Sequence, residues 1–230
     1  MALYLTDASL DWALRHAQAY GDTDIFPDTF EFDALAYSWD TVKTVLKSID
    51  ILKWTVRPAR RCLVPKHRFG FRISTQLDSL DFLIFTALIK DVGEKLETQR
   101  IPITQNIVHS YRFSPASNGR MYSEDQTYRS FQKASQTLSD DSDITHVVIA
   151  DIADFFPRIY THRIDNALDS ALGVGHMHSK ALKNLIGHWA GAYSYGIPVG
   201  SAASRLISEV TIADVDQLLL SEGVTYVRYS

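Results

Sequence analysis

Cysteine is nearly absent from this sequence. Cys62 stands alone, so no disulfide can close within the chain and no cysteine-built zinc site can form. A reducing, cytoplasmic setting is the expectation. Long apolar runs are missing too. The longest strongly hydrophobic stretch, residues 82–89, is too short to cross a bilayer, so no membrane partner is expected. No basic leader precedes Asp7, so no signal peptide is read. There is no internal repeat and no low-complexity segment. The nearest approach, residues 139–143, reads as a solvated loop. An excess of positive charge is also lacking: 23 Lys and Arg face 27 Asp and Glu, which argues mildly against a nucleic-acid binder judged on global charge.

One local absence reverses that last inference. From Lys53 to Leu77 there is no acidic residue, while Lys53, Arg57, Arg60, Arg61, Lys66, Arg68 and Arg72 are all basic. Trp54, Phe69 and Phe71 are interleaved, and short apolar pieces around Phe69-Gly70-Phe71 read as a hairpin. Such a concentration in a chain of net charge −4 favours a phosphate-facing surface over a merely solvated one.

With 230 residues and 46% hydrophobic content, the chain can bury a core for one domain or two small ones. Apolar spacing predicts helices over residues 7–20, 29–49, 78–98, 126–138, 161–172, 179–190 and 202–221. Thr161 is a good N-cap and Gly173 a good stop. A strand is expected over 107–113. Residues 144–151, Ile-Thr-His-Val-Val-Ile-Ala-Asp, read as a buried central strand that delivers a carboxylate at its tip. Residues 224–230 read as a final strand.

An aspartate at a strand end suits phosphoryl or nucleotidyl transfer, because that chemistry needs divalent metals held by carboxylates rather than covalent participation. Alone, Asp151 is as well explained by a turn or a helix cap. Its surroundings add weight. Asp151-Ile-Ala-Asp-Phe-Phe-Pro-Arg-Ile159, then Gly196-Ile-Pro-Val-Gly200 followed by Ser204, then Val227-Arg228-Tyr229-Ser230, follow Val64-Pro65-Lys66 and Phe71-Arg72 in order. Together these resemble the motifs of reverse transcriptases: the finger hairpin, the first carboxylate motif, the Pro-x-Gly turn and the approach to a Tyr-x-Asp-Asp turn. The two aspartates of that turn are not in the sequence. Ile159-Tyr-Thr-His162, His109-Ser-Tyr-Arg-Phe113 and Asp24-Ile-Phe-Pro27 resemble the bacterial branch linked to phage defence and abortive infection.

The resemblance implies an α+β fold of right-hand polymerase type, with fingers and a partial palm of antiparallel sheet and packed helices, and no thumb. It divides the chain into an N-terminal helical region (1–52), a fingers-like region (53–143) and the partial palm (144–230). It implies that Asp151 and the Ile152 carbonyl hold magnesium, two ions in all, with manganese as a substitute. Asp154 and Phe155 would offer amides to a deoxynucleotide triphosphate. Phe156 would exclude a ribose 2′-OH, and Lys66 and Arg72 would meet the phosphates. Pro198 would fix the turn, and Gly200 would let the backbone approach the substrate. The partners are then an RNA template and deoxynucleotides. With one of three metal carboxylates present, this chain alone is expected to be inactive. Val199, where many members carry a polar residue, departs from the pattern. The other reading is a nucleic-acid-binding scaffold, half of a split or degenerate polymerase, with a protein partner or self-association. Among the histidines, His162 reads as a cap or core residue, and His176 and His178 as loop residues without zinc partners.

Overall fold

Residues 82–89 are buried almost without interruption, and the rest of the chain is arranged around them. The computed structural model describes residues 2–23, 25–27 and 29–229, with His67 described by its backbone alone. Helix takes up about 52% of the chain, and a two-stranded antiparallel sheet accompanies it, so the class is α+β. The elements are α1 (Asp7–Tyr20), α2 (Glu31–Tyr37), α3 (Trp39–Ser48), β1 (Arg60–His67), β2 (Gly70–Gln76), α4 (Ser79–Glu97) and α5 (Tyr128–Ser139). After these come α6 (Phe155–Arg158), α7 (Thr161–Leu172), α8 (Met177–Ala190), α9 (Ala202–Thr211) and α10 (Ala213–Ser221).

The stretch of α4 at residues 82–89 is buried all round, as a helix must be where others pack on every side, and most of the helix's charged residues lie in its second half. Helix α4 touches α1, α7, α8 and α9, and Phe82, Leu83, Ile84, Phe85 and Leu88 have no exposed surface. One buried cluster runs through all three regions of the sequence, from Leu3 to Val210. A capping box between Thr6 and Ser9 starts α1, and Gly21 at φ 69° ends it.

Two expected helices are broken. The segment 29–49 divides at Ser38, and the break lets Trp39 donate to Asp11 on α1 at 2.7 Å. The segment 202–221 divides at Ile212. Just before it, the Thr211 hydroxyl donates back to the Ile207 carbonyl at 2.7 Å, a bond that bends helices. Thr161 is not the cap of α7 but its first residue, and its hydroxyl donates to the Ser194 carbonyl at 3.1 Å.

The strands need more correction. The sheet is the hairpin β1–β2, with Val64 opposite Arg72, and no palm sheet forms among the described residues. Residues 144–151 form no regular structure and pair with no strand, and Val148 and Ile149 are 90% and 93% exposed rather than buried. The reason is that β structure is made by neighbours, and no described strand lies alongside to accept this ladder. Residues 107–113 are not a continuous strand either, because Tyr111 takes φ 44°. Val108 instead makes a single parallel bridge to Arg228: the His109 amide donates to the Arg228 carbonyl (3.1 Å) and the Arg228 amide to the Ile107 carbonyl (2.9 Å). The terminal segment thus pairs here rather than beside 144–151; Ser230 lies outside the described residues.

That pairing is fixed by a buried ionic cluster. Glu209 of α9 accepts from Arg100 (2.7 Å), Ser110 (2.7 Å) and Arg228 (2.9 Å). Arg228 also forks onto Asp216 of α10, with both bonds at 2.7 Å. Glu97 bridges Arg100 (2.9 Å) and Arg112 (2.8 Å). Burial works against the charge on Arg228, but its carboxylate partners outweigh it and hold the guanidinium firmly protonated. Glu209→Ala would leave two buried guanidinium groups short of a partner. We expect a loss of about 3–5 kcal/mol, read as a drop in the urea unfolding midpoint.

His16 gives a pH-dependent term. It is 4% exposed, stacks between Trp12 and Tyr20, and its Nδ1–H donates to the Gly119 carbonyl at 2.8 Å. Gly119 permits this approach: its φ is 91°, and a Cβ there would sit 2.7 Å from the backbone of Arg15 and His16. Burial pushes the imidazole pKa below its ordinary value. The unfolded chain therefore binds a proton that the folded chain refuses. Stability is full above the unfolded value of about 6.5 and falls as pH drops below it. His16→Asn keeps a donor without the titration, so its unfolding midpoint should change less between pH 7.5 and 5.5 than the wild type's, on the order of that pH range.

Candidate functional site

The basic hairpin and the segment 151–160 face one another across a cleft of ≈ 1130 Å³. From the hairpin come Leu63, Lys66, Phe71, Arg72 and Ile73. Lys66 sits where a bulge between Pro65 and His67 shifts the register. The exposed apolar pair Leu63 and Ile73 are cross-strand partners at 69% and 48% exposure, so this wall is part apolar and part cationic.

The opposite wall begins where the irregular segment turns. Asp154 takes φ 52°, in the left-handed region that aspartate tolerates better than most residues, and α6 follows. Phe155 and Phe156 therefore lie on a helical turn, not on a continuing strand, and their half-buried rings meet edge-on at 5.8 Å. Asp151, Ile152, Asp154, Phe155, Phe156 and Arg158 all line the cleft. Arg158 lies 3.6 Å from Asp154, and both are largely exposed, so the pair is weak and free to exchange for another partner.

The turn at 196–200 forms the floor. Val199 and Gly200 reach the cleft, whereas Pro198 is buried behind it. The Val199 carbonyl accepts from the Thr75 amide (2.9 Å) and the Ser74 hydroxyl (3.3 Å), which ties this turn to β2. Gly200 has φ 121°, and a Cβ there would overlap the Thr23 hydroxyl. The close approach that glycine permits here is to Thr23. Ser204 is fully buried on α9, and its hydroxyl has no hydrogen-bond partner, so it neither caps nor back-bonds.

Lys66, Arg72, Asp151, Ile152, Asp154, Phe155, Phe156 and Gly200 are therefore brought together, and Pro198 is not. Further residues complete the wall, among them Tyr111, from the His109–Phe113 motif, and Arg205. Tyr111 lines the cleft, and the Arg205 guanidinium lies over its ring at 5.1 Å. The Tyr229 ring is 6.1 Å from that of Tyr111. A left-handed tyrosine has no sequence signal. Arg205 had one, a lone cation within the apolar helix α9.

Among the described residues no three His, Cys, Asp or Glu side chains gather as a metal-binding group. Magnesium is commonly held by one or two carboxylates together with substrate phosphates. Asp151 and Asp154 line the cleft that also holds Lys66 and Arg72, and are the carboxylates there that could hold a cation. His176 precedes α8 in the connecting loop and makes no side-chain capping bond, whereas His178 is not a loop residue but lies on α8, 3.5 Å from Asp91 and away from the cleft. A more open depression of ≈ 690 Å³ beside α5 carries mixed charge from Glu124, Arg129 and Lys133 and none of the motif residues.

No protein-family model matches the chain, and no curated protein matches it. Among the described residues no helix is long and apolar enough to cross a membrane.

Gly200→Ala should cost about 1–3 kcal/mol, from left-handed strain and the clash with Thr23. Adding Thr23→Ala should return the steric part only. Thermal unfolding of the two single variants and the double variant checks this: additive losses would show that the two positions do not touch.

Proposed function

We propose that the chain carries the nucleotide-binding part of a reverse-transcriptase-type nucleotidyl transferase and binds a deoxynucleotide triphosphate and magnesium beside an RNA template. The observation that carries this reading is the convergence of Lys66, Arg72, Asp151, Asp154 and Phe156, from separate parts of the chain, on one cleft. Cations on one wall and carboxylates on the other suit a triphosphate bridged to a divalent metal.

In this reading Lys66 and Arg72 bind the phosphates, and Asp151 with the Ile152 carbonyl holds magnesium, with manganese as a substitute. A bound cation would neutralise charge developing on the phosphate oxygens. Asp154 and Phe155 present backbone amides, and Phe156 sets the sugar preference. Two carboxylates in the cleft are few for a two-metal reaction, so this chain by itself is expected to bind nucleotide without appreciable polymerisation. A role in antiviral defence rests on the bacterial-branch resemblance.

A second reading, a scaffold that completes itself with another subunit, draws support from the exposed Val147, Val148 and Ile149, whose unpaired backbone can accept a further strand. Limited deuterium exchange that stays fast over residues 144–150 in every assembly state would count against it.

Magnesium-dependent binding of a deoxynucleotide triphosphate, measured by titration calorimetry, tests the first reading. Lys66→Ala and Arg72→Ala should each weaken binding by roughly ten- to a hundredfold, the range for a charge-assisted phosphate bond. Asp151→Asn should remove the magnesium dependence, and Phe156→Ala should let the ribonucleotide bind as well as the deoxynucleotide. Binding insensitive to magnesium and to both cations would overturn the reading, and so would template-directed incorporation by the wild-type chain that survives Asp151→Ala.

A further inference from the structure

A ladder of aromatic rings runs along the edge of the cleft over an open surface. The ring of Tyr193 lies 5.5 Å from that of Tyr195, Tyr195 lies 6.3 Å from Tyr160, and Tyr160 lies 5.5 Å from His162. The three tyrosines are 58%, 43% and 53% exposed, and His162, far from being core, is exposed on α7. Single exposed aromatics are ordinary on a protein surface, but a connected row of them is a recognition feature.

The backbone holds the row in place. Tyr160 and Tyr195 form an antiparallel bridge, the Thr161 amide donates to the Ser194 carbonyl (2.9 Å), and the Gly196 amide donates to the Ile159 carbonyl (2.8 Å). The Ile197 amide donates to the Phe156 carbonyl at 3.1 Å, so the ladder is coupled directly to the cleft. Little freedom remains to be lost when a ligand docks.

The charge beside it selects the ligand. Tyr160 and Tyr195 line the same cleft as Lys66, Arg72, Arg158 and Arg205, which outnumber Asp151 and Asp154 there, in a chain of net charge −4. Open π faces next to concentrated cations match a polyanion whose bases are unpaired, because every base can stack and every phosphate can be neutralised. A duplex hides its base faces and would gain only the charge term.

We propose that Tyr193, Tyr195, Tyr160 and His162 form a stacking track for single-stranded RNA along the edge of the cleft, which its two middle rings line. That the strand is RNA rests on the template reading above; the stacking itself does not.

The test is fluorescence anisotropy with a labelled oligouridine, an abasic oligomer of the same length and charge, and an RNA duplex. The wild-type chain should prefer the oligouridine over both. Tyr193→Ala/Tyr195→Ala should weaken oligouridine binding at least about tenfold and leave the abasic oligomer unchanged. Tyr193→Phe/Tyr195→Phe should bind like wild type, because the rings remain. If the double alanine variant does not fold, Tyr193→Ala alone, at the most exposed of the three tyrosines, must still show a preference reduced in the same direction. Equal binding of the abasic oligomer or the duplex by the wild type would overturn the proposal. So would an alanine variant that binds oligouridine normally, or a concentration-dependent dimer that the alanine variant dissolves, which would assign the track to a second copy. Loss of nucleotide binding by the cleft with this base preference intact would sink the polymerase reading alone. The converse result would sink the track alone.

Discussion

Glu209 is the point on which the arrangement of this chain turns. It is buried between Arg100 and Arg228, and each of those arginines is bound in turn to a second carboxylate. Groups from the end of α4, the segment 108–113, α9, α10 and the terminal segment meet there. Buried ion pairs add little net stability over an apolar replacement, yet breaking one is costly, because the surviving charge has nowhere to go. The cluster therefore acts mainly on geometry. It allows one relative placement of these five pieces and penalises the rest.

Tyr111 inherits that placement. Its backbone is in a left-handed conformation that costs a non-glycine residue on the order of 1–3 kcal/mol and persists only when neighbours over-determine it. Arg100 supplies the restraint, donating to the Tyr111 carbonyl and the Ser110 carbonyl at 2.7 Å each. The strained backbone aims the ring at the cleft, under Arg205 and beside Tyr229. An ionic cluster with no access to the cleft thereby shapes its wall.

Sequence patterning foretold much of this and missed the rest for identifiable reasons. The apolar spacing of α1 and α7 gave their limits, because a 3.6-residue period is local information. The breaks at Ser38 and Ile212 were not visible, because each depends on a distant partner or on a hydroxyl bonding back to its own helix. Residues 144–151 have the composition of a buried strand, but composition describes what a segment can pair with, not whether a partner is present. The motif residues around Asp151 were legible as a set, and one cleft gathers most of them. The left-handed backbone of Tyr111 and the Glu209 cluster were not, since Arg100 and Glu209 lie 109 positions apart and neither carries a motif.

The two walls of the cleft are anchored unequally, and this bears on what the site can do. The cationic wall is part of a closed hairpin that is tied to the 196–200 turn through Thr75, Ser74 and Val199. Asp151 comes at the end of a segment with no ladder among the described residues, and the backbone bonds that hold this wall to the 196–200 turn lie beyond it, at Phe156 and Ile159. Phosphate contacts tolerate a loose partner, because charge acts over a distance. Metal-assisted transfer does not, because misplacing a ligand by about 1 Å can cost on the order of a hundredfold in rate. On the proposed reading, the cleft suits holding a triphosphate more than reacting it. On the same reading, firm placement of Asp151 would need hydrogen-bond partners for residues 144–150, so pairing of that segment, rather than any change in the cations, would be what a metal-assisted step demands.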